Sequence, residues 1–565
     1  MTNCRIPSRR SVGPAPPALG LVFRGVLEEC FVRLPVVGRS VSRRGGCGAI
    51  REESKRGAED LSRAGRDECS RGAALGVRVS VASVRWVTWV TWGTSLALLV
   101  LSVGVGWAAD SPTSLEVRLD ATLQVDSLVS AKVGALVIGE GGETLYARDP
   151  DVSRIPASNM KLLTALAALD AFGPSHRFET VIVADRDLVP TGAVGELGIR
   201  GGGDPALNSE DWWRLAADLR RNGLVRVEGD VVVDPSCFDA AYWHPAWGEP
   251  SSRAFHAPVA GLSANYGAFF VRVGPGLGSD DPVRVQVDPP LSYFQVQNRG
   301  RTLDAGDKGS LSIGRGEATP QAETVVVSGD LGLGEPARNF ARSVRDPVLY
   351  AGALFKMQLE AVGIEVEGRV RRGIAKQPVE LLRHRGRPLA EIVRLFLKYS
   401  NNAMAEGLVK AMGAQATGKP GSWPAGLAEV RGRLDALEVL GPGAELVDGS
   451  GLSPDNRVSP RVLVEALNRG ASSFRFGPEY VAALPIAGRD GTLEHRTAAS
   501  VDGVRAKTGL LKTQRVVALS GYAERADGES VIFSILINGY SGAPDDAMRA
   551  VDAWVEALIQ VEPSE

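Results

Sequence analysis

The sequence predicts an α+β protein in which an antiparallel sheet flanked by helices is interrupted by a large β-rich insertion. Three observations support this fold class. Two strand-like runs occur early in the chain, and three more occur near its end. Helical patterns accompany both groups, whereas the residues between them form short strand-like runs separated by Gly, Pro and Asp turns. A single sheet built from both ends of the chain accounts for this order.

The first 110 residues differ in composition from the rest of the 565-residue chain. Residues 1–81 are rich in Arg, Gly and Ser, contain four of the five cysteines, and are predicted to be disordered. Residues 82–109 include a 24-residue uncharged run that ends near Gly106-Trp107-Ala108. This segment predicts a signal peptide, with an uncleaved membrane anchor as the alternative. Either interpretation predicts export to the periplasm or another extracytoplasmic cell-wall space.

Charge and cysteine content exclude several classes of function for the remaining residues. From residue 81 onward there are 49 basic and 58 acidic side chains, so binding to nucleic acid through phosphate neutralisation is not expected. This part contains only Cys237, and its histidines are scattered. We therefore expect no disulfide within it, no metal and no cofactor. The sequence gives no indication of the oligomeric state.

The predicted elements divide the chain into a catalytic domain, residues 110–175 and 341–565, and one or two small inserted domains at 176–340. A hairpin is expected at 132–138 and 144–148, followed by a helix that begins near Pro156 and ends before Gly173-Pro174. The remaining strands are expected at 179–184, 196–200, 225–233, 283–287, 324–328, 503–508, 516–522 and 531–538. The remaining helices are expected at 211–222, 347–362, 389–398, 403–412 and 544–559.

The most informative short motif places a lysine three residues after a serine. Ser158 and Lys161 occupy positions i and i+3 of the predicted helix, so their side chains share a face. A serine hydroxyl is a poor nucleophile until a neighbouring base takes its proton. Lysine can be that base when it is uncharged, and burial favours the uncharged form. The pair is a candidate nucleophile and base, although a capping serine beside a surface lysine has the same spacing.

A second lysine lies in the sequence Lys507-Thr508-Gly509, on a strand predicted near the end of the chain. A lysine and a hydroxyl at a strand edge can hold a substrate carboxylate, and a glycine lets a ligand approach the backbone. The backbone N–H groups of Ser158 and Leu510 are candidates for an oxyanion hole. A surface strand without a ligand is the alternative.

Two Ser-x-Asn sequences are candidates for a third element of the site. Ser263-Ala264-Asn265 lies in the insertion, whereas Ser400-Asn401-Asn402 lies at a junction between two predicted helices. Because a helix presents its terminal residues rigidly, we prefer Ser400 and Asn402.

Together these motifs resemble the penicillin-binding protein and serine β-lactamase superfamily, whose signatures are S-x-x-K, S-x-N and K-T-G. The chain is similar in particular to D-alanyl-D-alanine carboxypeptidase/endopeptidases of the DacB type, peptidase family S13. The 242 residues from Ser158 to Ser400 fit the long insertion of that family. The further segments that carry the resemblance are Pro156-Ala157-Ser158-Asn159-Met160-Lys161, Gly201-Gly202-Gly203-Asp204-Pro205, Asp448-Gly449-Ser450-Gly451-Leu452-Ser453 and Asp490-Gly491-Thr492-Leu493.

The resemblance implies a serine D-Ala-D-Ala carboxypeptidase that trims or cleaves peptidoglycan stem peptides and is inhibited covalently by β-lactam antibiotics. Ser158 would be acylated, and Lys161 would be its base. Ser400 would relay a proton to the leaving amine, and Asn402 would hold the substrate and Lys161. Lys507 would supply positive potential for the substrate carboxylate.

The chain departs from the family pattern at a few positions. Leu510 stands where many relatives have a threonine, and Pro454 replaces an arginine. Glu249, after Trp247, is a candidate for reading the diamino acid of the peptide. Two alternative functions follow from these departures and from the superfamily: a catalytically weak penicillin-binding scaffold at the cell wall, and a β-lactamase or esterase.

Overall fold

The computed structural model describes residues 114–319, 321–496 and 502–560. The predicted N-terminal extension and the predicted signal or anchor segment, residues 1–81 and 82–109, lie outside these ranges. Within them, no helix has both the length and the hydropathy that crossing a membrane requires.

Ten α-helices occur in the described residues. In chain order they are α1 (Ser114–Thr122), α2 (Met160–Phe172), α3 (Ser209–Arg221), α4 (Pro347–Ala361), α5 (Leu389–Tyr399), α6 (Asn402–Thr417), α7 (Trp423–Ala436), α8 (Pro460–Ser472), α9 (Gly477–Ala482) and α10 (Pro544–Ile559).

The same residues form nineteen strands. In chain order they are β1 (Lys132–Ile138), β2 (Thr144–Arg148), β3 (Arg177–Ala184), β4 (Ala193–Val194), β5 (Leu197–Arg200), β6 (Arg226–Val227), β7 (Val231–Asp234), β8 (Ala268–Gly274), β9 (Arg284–Asp288), β10 (Phe294–Leu303), β11 (Leu311–Thr319), β12 (Ala322–Gly332), β13 (Arg338–Ser343), β14 (Glu365–Val366), β15 (Val370–Arg372), β16 (Val379–Pro388), β17 (Val504–Leu511), β18 (Val516–Glu524) and β19 (Ser530–Asn538).

The largest sheet of the catalytic part joins the two ends of the described chain. Its five strands have the order β17-β18-β19-β1-β2, and every neighbouring pair is antiparallel. The central strand β19 is buried over most of its length because helices cover both faces of the sheet. The prediction of one antiparallel sheet formed by early and late strands is confirmed.

Two hydrophobic cores lie on opposite faces of this sheet. On one face, α1 and α10 pack together, and α10 contributes an apolar stripe that includes Val551, Trp554 and Leu558. On the other face, the core combines the sheet residues Ala518 and Leu536 with helices α2 and α5–α9. Every residue of helix α2 from Met160 to Leu169 is buried, so this part of the helix is enclosed by its neighbours and does not lie at the surface.

The helix that carries the first motif begins later than the sequence predicted. Ala157–Asn159 form a 3₁₀ turn, and the α-helix starts at Met160. Ala157 has a φ of +47°, a left-handed conformation that an α-helix cannot contain. Ser158 therefore lies in a tight turn ahead of the helix, whereas Lys161 lies in its first turn.

The inserted region has its own core, built around α3, α4 and a mixed sheet with the order β15-β7-β5-β3-β16. The strand predicted at 225–233 is divided into β6 and β7, which belong to different sheets. Strand β16 pairs with β3, and α4 packs on β7 and β15. These contacts support an insertion that extends to about residue 388, beyond the expected boundary at 340; the division into domains remains a prediction.

Candidate active site

Ser158 and Lys161 are in hydrogen-bond contact. The Lys161 Nζ donates to Ser158 Oγ at 3.1 Å, to Asn402 Oδ1 at 2.7 Å and to the Ser450 carbonyl at 2.6 Å. The lysine side chain is completely buried. These three acceptors hold the amine beside the hydroxyl, which is the arrangement that activates a serine nucleophile.

Ser400 and Lys507 form a second pair of hydroxyl and amine. The Lys507 Nζ donates to Ser400 Oγ at 2.9 Å and to the carbonyl of Thr508 at 2.9 Å. Ser400 follows the last residue of α5 with a φ of +56°, and the side chain of Asn401 caps α6 by accepting from Met404 N. Two adjacent helix ends therefore fix the orientation of Ser400.

Asn402 connects the first pair to the segment that carries Ser400, which lies two residues earlier in the chain. Its Oδ1 accepts from Lys161, and its Nδ2 donates to the Phe255 carbonyl of the inserted region at 2.8 Å. The structure thus brings together Ser158, Lys161, Ser400, Asn402 and Lys507, the five catalytic candidates.

The other Ser-x-Asn sequence lies away from these pairs. Asn265 accepts from the backbone N–H of Ser209 and donates to Tyr350, inside the core of the insertion.

Strand β17 passes next to the turn that holds Ser158. A Cβ at Gly509 would lie 2.9 Å from the Pro156 carbonyl oxygen and 2.8 Å from Asn159 Nδ2, so this close approach requires glycine. Side chains alternate along a strand, and Leu510 accordingly packs against the core beneath α10, on the face opposite Gly509.

The hydroxyl of Thr508 has a partner from another segment. Its Oγ1 donates to Thr492 Oγ1 at 2.8 Å. Thr492 belongs to the segment Asp490-Gly491-Thr492-Leu493, which therefore borders the strand that carries Lys507.

Glu249 is exposed, and its substrate-binding role stays a prediction. It lies in a loop between two residues that contact the surroundings of the site. Trp247 donates from Nε1 to Asp448 Oδ2 at 2.9 Å, and Phe255 accepts from Asn402. This loop of the inserted region therefore borders the site.

A pair of buried carboxylates supports the site and was not identified from the sequence. Glu406 accepts hydrogen bonds from Gly449 N, Ser450 N and Trp423 Nε1. Burial and then the negative charge of Asp448 raise the pKa of Glu406 to about 7. A signal was present, since Glu406 follows Asn402 by four residues on one helix and so lies on the same face.

Lys398 and Asp490 form a further ion pair that the sequence analysis missed. Lys398 Nζ donates to both carboxylate oxygens, at 2.6 and 2.8 Å. Burial lowers the pKa of Lys398, and the carboxylate opposes that shift. The pair connects the end of α5, just before Ser400, to the segment that carries Thr492.

The described residues contain no group of three or more His, Cys, Asp and Glu side chains that could hold a metal ion.

The chain is similar to known proteins over most of its length. A D-alanyl-D-alanine carboxypeptidase from Actinomadura sp. (strain R39) is 36% identical over 454 residues, which cover 76% of this chain and 82% of that protein. The crystal structure of penicillin binding protein 4 (dacB) from Haemophilus influenzae matches 80% of this chain and 100% of that chain, with a TM-score of 0.68 and 24% identity. This structural match establishes the fold.

A second structure of that Haemophilus influenzae protein, complexed with a β-lactam, matches 79% of this chain and 100% of that chain with a TM-score of 0.64 and 25% identity. The sequence profile of the D-Ala-D-Ala carboxypeptidase 3 (S13) family matches residues 115–558. The chain therefore belongs to the D-Ala-D-Ala carboxypeptidase 3 (S13) family.

Proposed function

We propose that the protein is a serine D-alanyl-D-alanine carboxypeptidase that acts on peptidoglycan stem peptides through an acyl-enzyme on Ser158. One observation carries the proposal: Lys161 of the pair Ser158–Lys161 is hydrogen-bonded to Asn402, which lies two residues after Ser400 of the pair Ser400–Lys507. Acyl transfer needs a nucleophile with a base and a donor that protonates the leaving group. The two pairs supply these two functions.

In the acylation step, Ser158 Oγ attacks the carbonyl carbon of the penultimate D-Ala and transfers its proton to Lys161. A C–O bond forms, and the C–N bond to the terminal D-Ala breaks. The leaving amine takes up a proton through the hydroxyl of Ser400, which Lys507 holds in place. The backbone N–H groups of Ser158 and Leu510 are the proposed donors to the developing oxyanion.

In the deacylation step, water attacks the ester and restores the Ser158 hydroxyl. The released product is the stem peptide, shortened by one D-Ala. A cross-linked peptide would react in the same way, with the amine of the neighbouring stem as the leaving group, and this would be endopeptidase activity. In that reaction, Glu249 is the proposed contact for the diamino acid.

A β-lactam would acylate Ser158 by opening its ring amide. The amine that leaves stays attached to the acyl group, so it blocks the approach of water and the adduct persists. The β-lactam complex of the Haemophilus influenzae protein supports this part of the proposal. Because the substrate is a cell-wall peptide, we propose that the protein works outside the cytoplasmic membrane, to which residues 82–109 would direct it.

The test combines labelling with a fluorescent penicillin and digestion of purified muropeptides followed by mass analysis. The parent protein should be labelled and should release one alanine per stem peptide, whereas Ser158→Ala should do neither. Ser263→Ala, in the other Ser-x-Asn sequence, is the matched control and should behave as the parent. Cleavage of cross-linked dimers is scored separately.

Two results would favour the alternative functions. A folded parent protein that is not labelled would indicate the scaffold. Rapid turnover of the penicillin with no alanine release would indicate a β-lactamase or esterase.

A further inference from the structure

A completely buried carboxylate lies one helical turn from Asn402. Glu406 is the only acidic residue of α6, a helix whose residues Met404–Gly413 are all buried. A buried charge is costly unless hydrogen bonds satisfy it. Glu406 receives three hydrogen bonds: Gly449 N and Ser450 N donate to Oε1 at 3.0 and 2.7 Å, and Trp423 Nε1 donates to Oε2 at 2.9 Å.

The loop that Glu406 holds is the one that holds Lys161. The Ser450 carbonyl accepts from Lys161 Nζ at 2.6 Å, the shortest of the three hydrogen bonds described for that amine. The preceding carbonyl, of Gly449, accepts from Thr164 Oγ1 at 2.6 Å, one turn further along α2. The peptide between residues 449 and 450 therefore has its N–H on Glu406 and its carbonyl on α2. The next peptide carries the Ser450 carbonyl that binds Lys161, and its N–H, that of Gly451, donates to Asp448.

The second carboxylate keeps the same loop folded. Asp448 accepts from Gly451 N, Ser453 N and the side chain of Asn456, at 2.6–2.8 Å. It fixes the shape of the loop, whereas Glu406 fixes the position of the loop on helix α6. Hydrogen bonds from N–H groups to an ionised carboxylate are stronger than those between neutral partners.

We propose that Glu406 is a positioning residue for Lys161: by anchoring the peptide N–H groups of residues 449 and 450, it sets the Ser450 carbonyl that orients the amine toward Ser158. This inference rests on the proposed function, since it assigns Lys161 the role of base. It explains why a carboxylate lies at a buried position of α6, where a leucine would have no desolvation cost. Asn402 and Glu406 lie on one face of α6. Asn402 binds the amine of Lys161 directly, whereas Glu406 holds the loop whose Ser450 carbonyl binds the same amine.

The variant Glu406→Gln tests the proposal. Glutamine has nearly the same volume, but it replaces one acceptor oxygen with an NH₂ group that must face an N–H donor. We expect the acylation rate constant with a fluorescent penicillin to fall about 10- to 100-fold, because a displacement near 1 Å costs about 100-fold. The dissociation constant of the initial complex should stay within about twofold of the parent's, and the folded protein should be labelled completely at long times.

Asp239→Asn is the matched control. Asp239 accepts at 2.6 Å from Lys410, a buried lysine of α6. None of the hydrogen bonds of the Asp239 side chain reaches the 448–453 loop. This variant removes the charge partner of a completely buried lysine in the same helix and should acylate at the parent rate. Should Glu406→Gln fail to fold, Glu406→Asp is the second variant. It keeps the carboxylate, but its side chain is shorter by one methylene and ends further from the N–H groups of Gly449 and Ser450, so the same fall in the acylation rate constant is expected.

The proposal is overturned if Glu406→Gln acylates at the parent rate. It is also overturned if Asp239→Asn lowers the acylation rate constant as much as Glu406→Gln does. A third contrary result would be a Glu406→Gln protein that is labelled at the parent rate but in a smaller fraction of the molecules, since that pattern indicates loss of folded protein. A parent protein that is not labelled at all refutes the proposed function itself, and the two failures are thereby distinguished.

Discussion

Substituting alanine for Gly451 tests whether the turn that holds Ser158 is positioned by the 448–453 loop. Gly451 has a φ of +78°, and a Cβ there would lie 1.8 Å from the carbonyl oxygen of Ala157, the residue before the nucleophile. Ordinary contacts begin near 3.4 Å. Because the clashing atom belongs to the backbone, the loop and the turn must separate by roughly 1.5 Å, and such a shift would move Ser158 relative to Lys161.

Gly451→Ala is expected to have two separate effects, one on the unfolding free energy and one on the acylation rate constant. The left-handed conformation costs a residue with a Cβ roughly 1–2 kcal/mol, which affects stability. The displacement affects catalysis: about 1 Å of misplacement costs about 100-fold, or roughly 2.7 kcal/mol of activation free energy. Gly451→Ala should therefore lower the acylation rate constant by at least about 100-fold.

Gly418→Ala separates the two effects. Gly418 has a similar φ of +65°, but nothing lies within 4 Å of the Cβ position. This variant should lose about 1–2 kcal/mol of unfolding free energy and keep the parent acylation rate. The assays are denaturant unfolding and stopped-flow labelling with a fluorescent penicillin. A folded Gly451→Ala protein that acylates normally, or an equal loss of rate in both variants, would refute the reasoning.

Three further predictions concern other residues. Asp490→Asn removes the carboxylate from the nearly buried Lys398 and should cost about 1–3 kcal/mol of unfolding free energy. Asp502→Asn, which breaks a solvent-exposed pair with Arg489, should change the unfolding free energy much less, and equal losses would contradict the prediction. Burial raises the pKa of Asp204 from 3.8 to about 7, so this group favours the folded state below about pH 4, and that contribution is lost as the pH rises through 7. Unfolding free energies at pH 5 and pH 8 should show that Asp204→Asn removes about 2–3 kcal/mol of the parent's decline between these two values, and parallel declines would refute the prediction. Leu510→Thr should leave the KM of a D-Ala-D-Ala peptide within about twofold of the parent's, because the side chain at 510 packs in the core beneath α10, on the face opposite Gly509. A clear fall in KM would contradict this placement.

The catalytic candidates were accessible from the sequence because their chemistry is local. A serine three residues before a lysine, a Ser-x-Asn and a Lys-Thr-Gly each consist of neighbouring residues, so spacing alone identifies them. The strands and helices at the two ends were accessible for the same reason, since a periodicity of 2.0 or 3.6 residues is a local property. The hairpin of β1 and β2 was predicted with the bounds that the structure has.

The supporting residues were not accessible in this way, because their partners are distant in the sequence. Glu406 contacts a loop more than 40 residues away, and Trp247 contacts Asp448 across 201 residues. The late start of α2 has the same origin. The sequence from Pro156 favours a helix, but the loop at Gly451 packs against the Ala157 carbonyl and holds the turn in a left-handed conformation.

The sequence by itself determined the fold class, the order of the strands along the chain and the candidate catalytic residues, because propensity, periodicity and short motifs depend on neighbours. Only the tertiary structure decided which of the two Ser-x-Asn sequences meets Lys161, how the inserted region borders the site, and which buried carboxylates accept hydrogen bonds from the 448–453 loop beside Lys161. These features depend on contacts between segments that are tens to hundreds of residues apart, and the packing of two cores on the sheet and a third core in the insertion fixes them together.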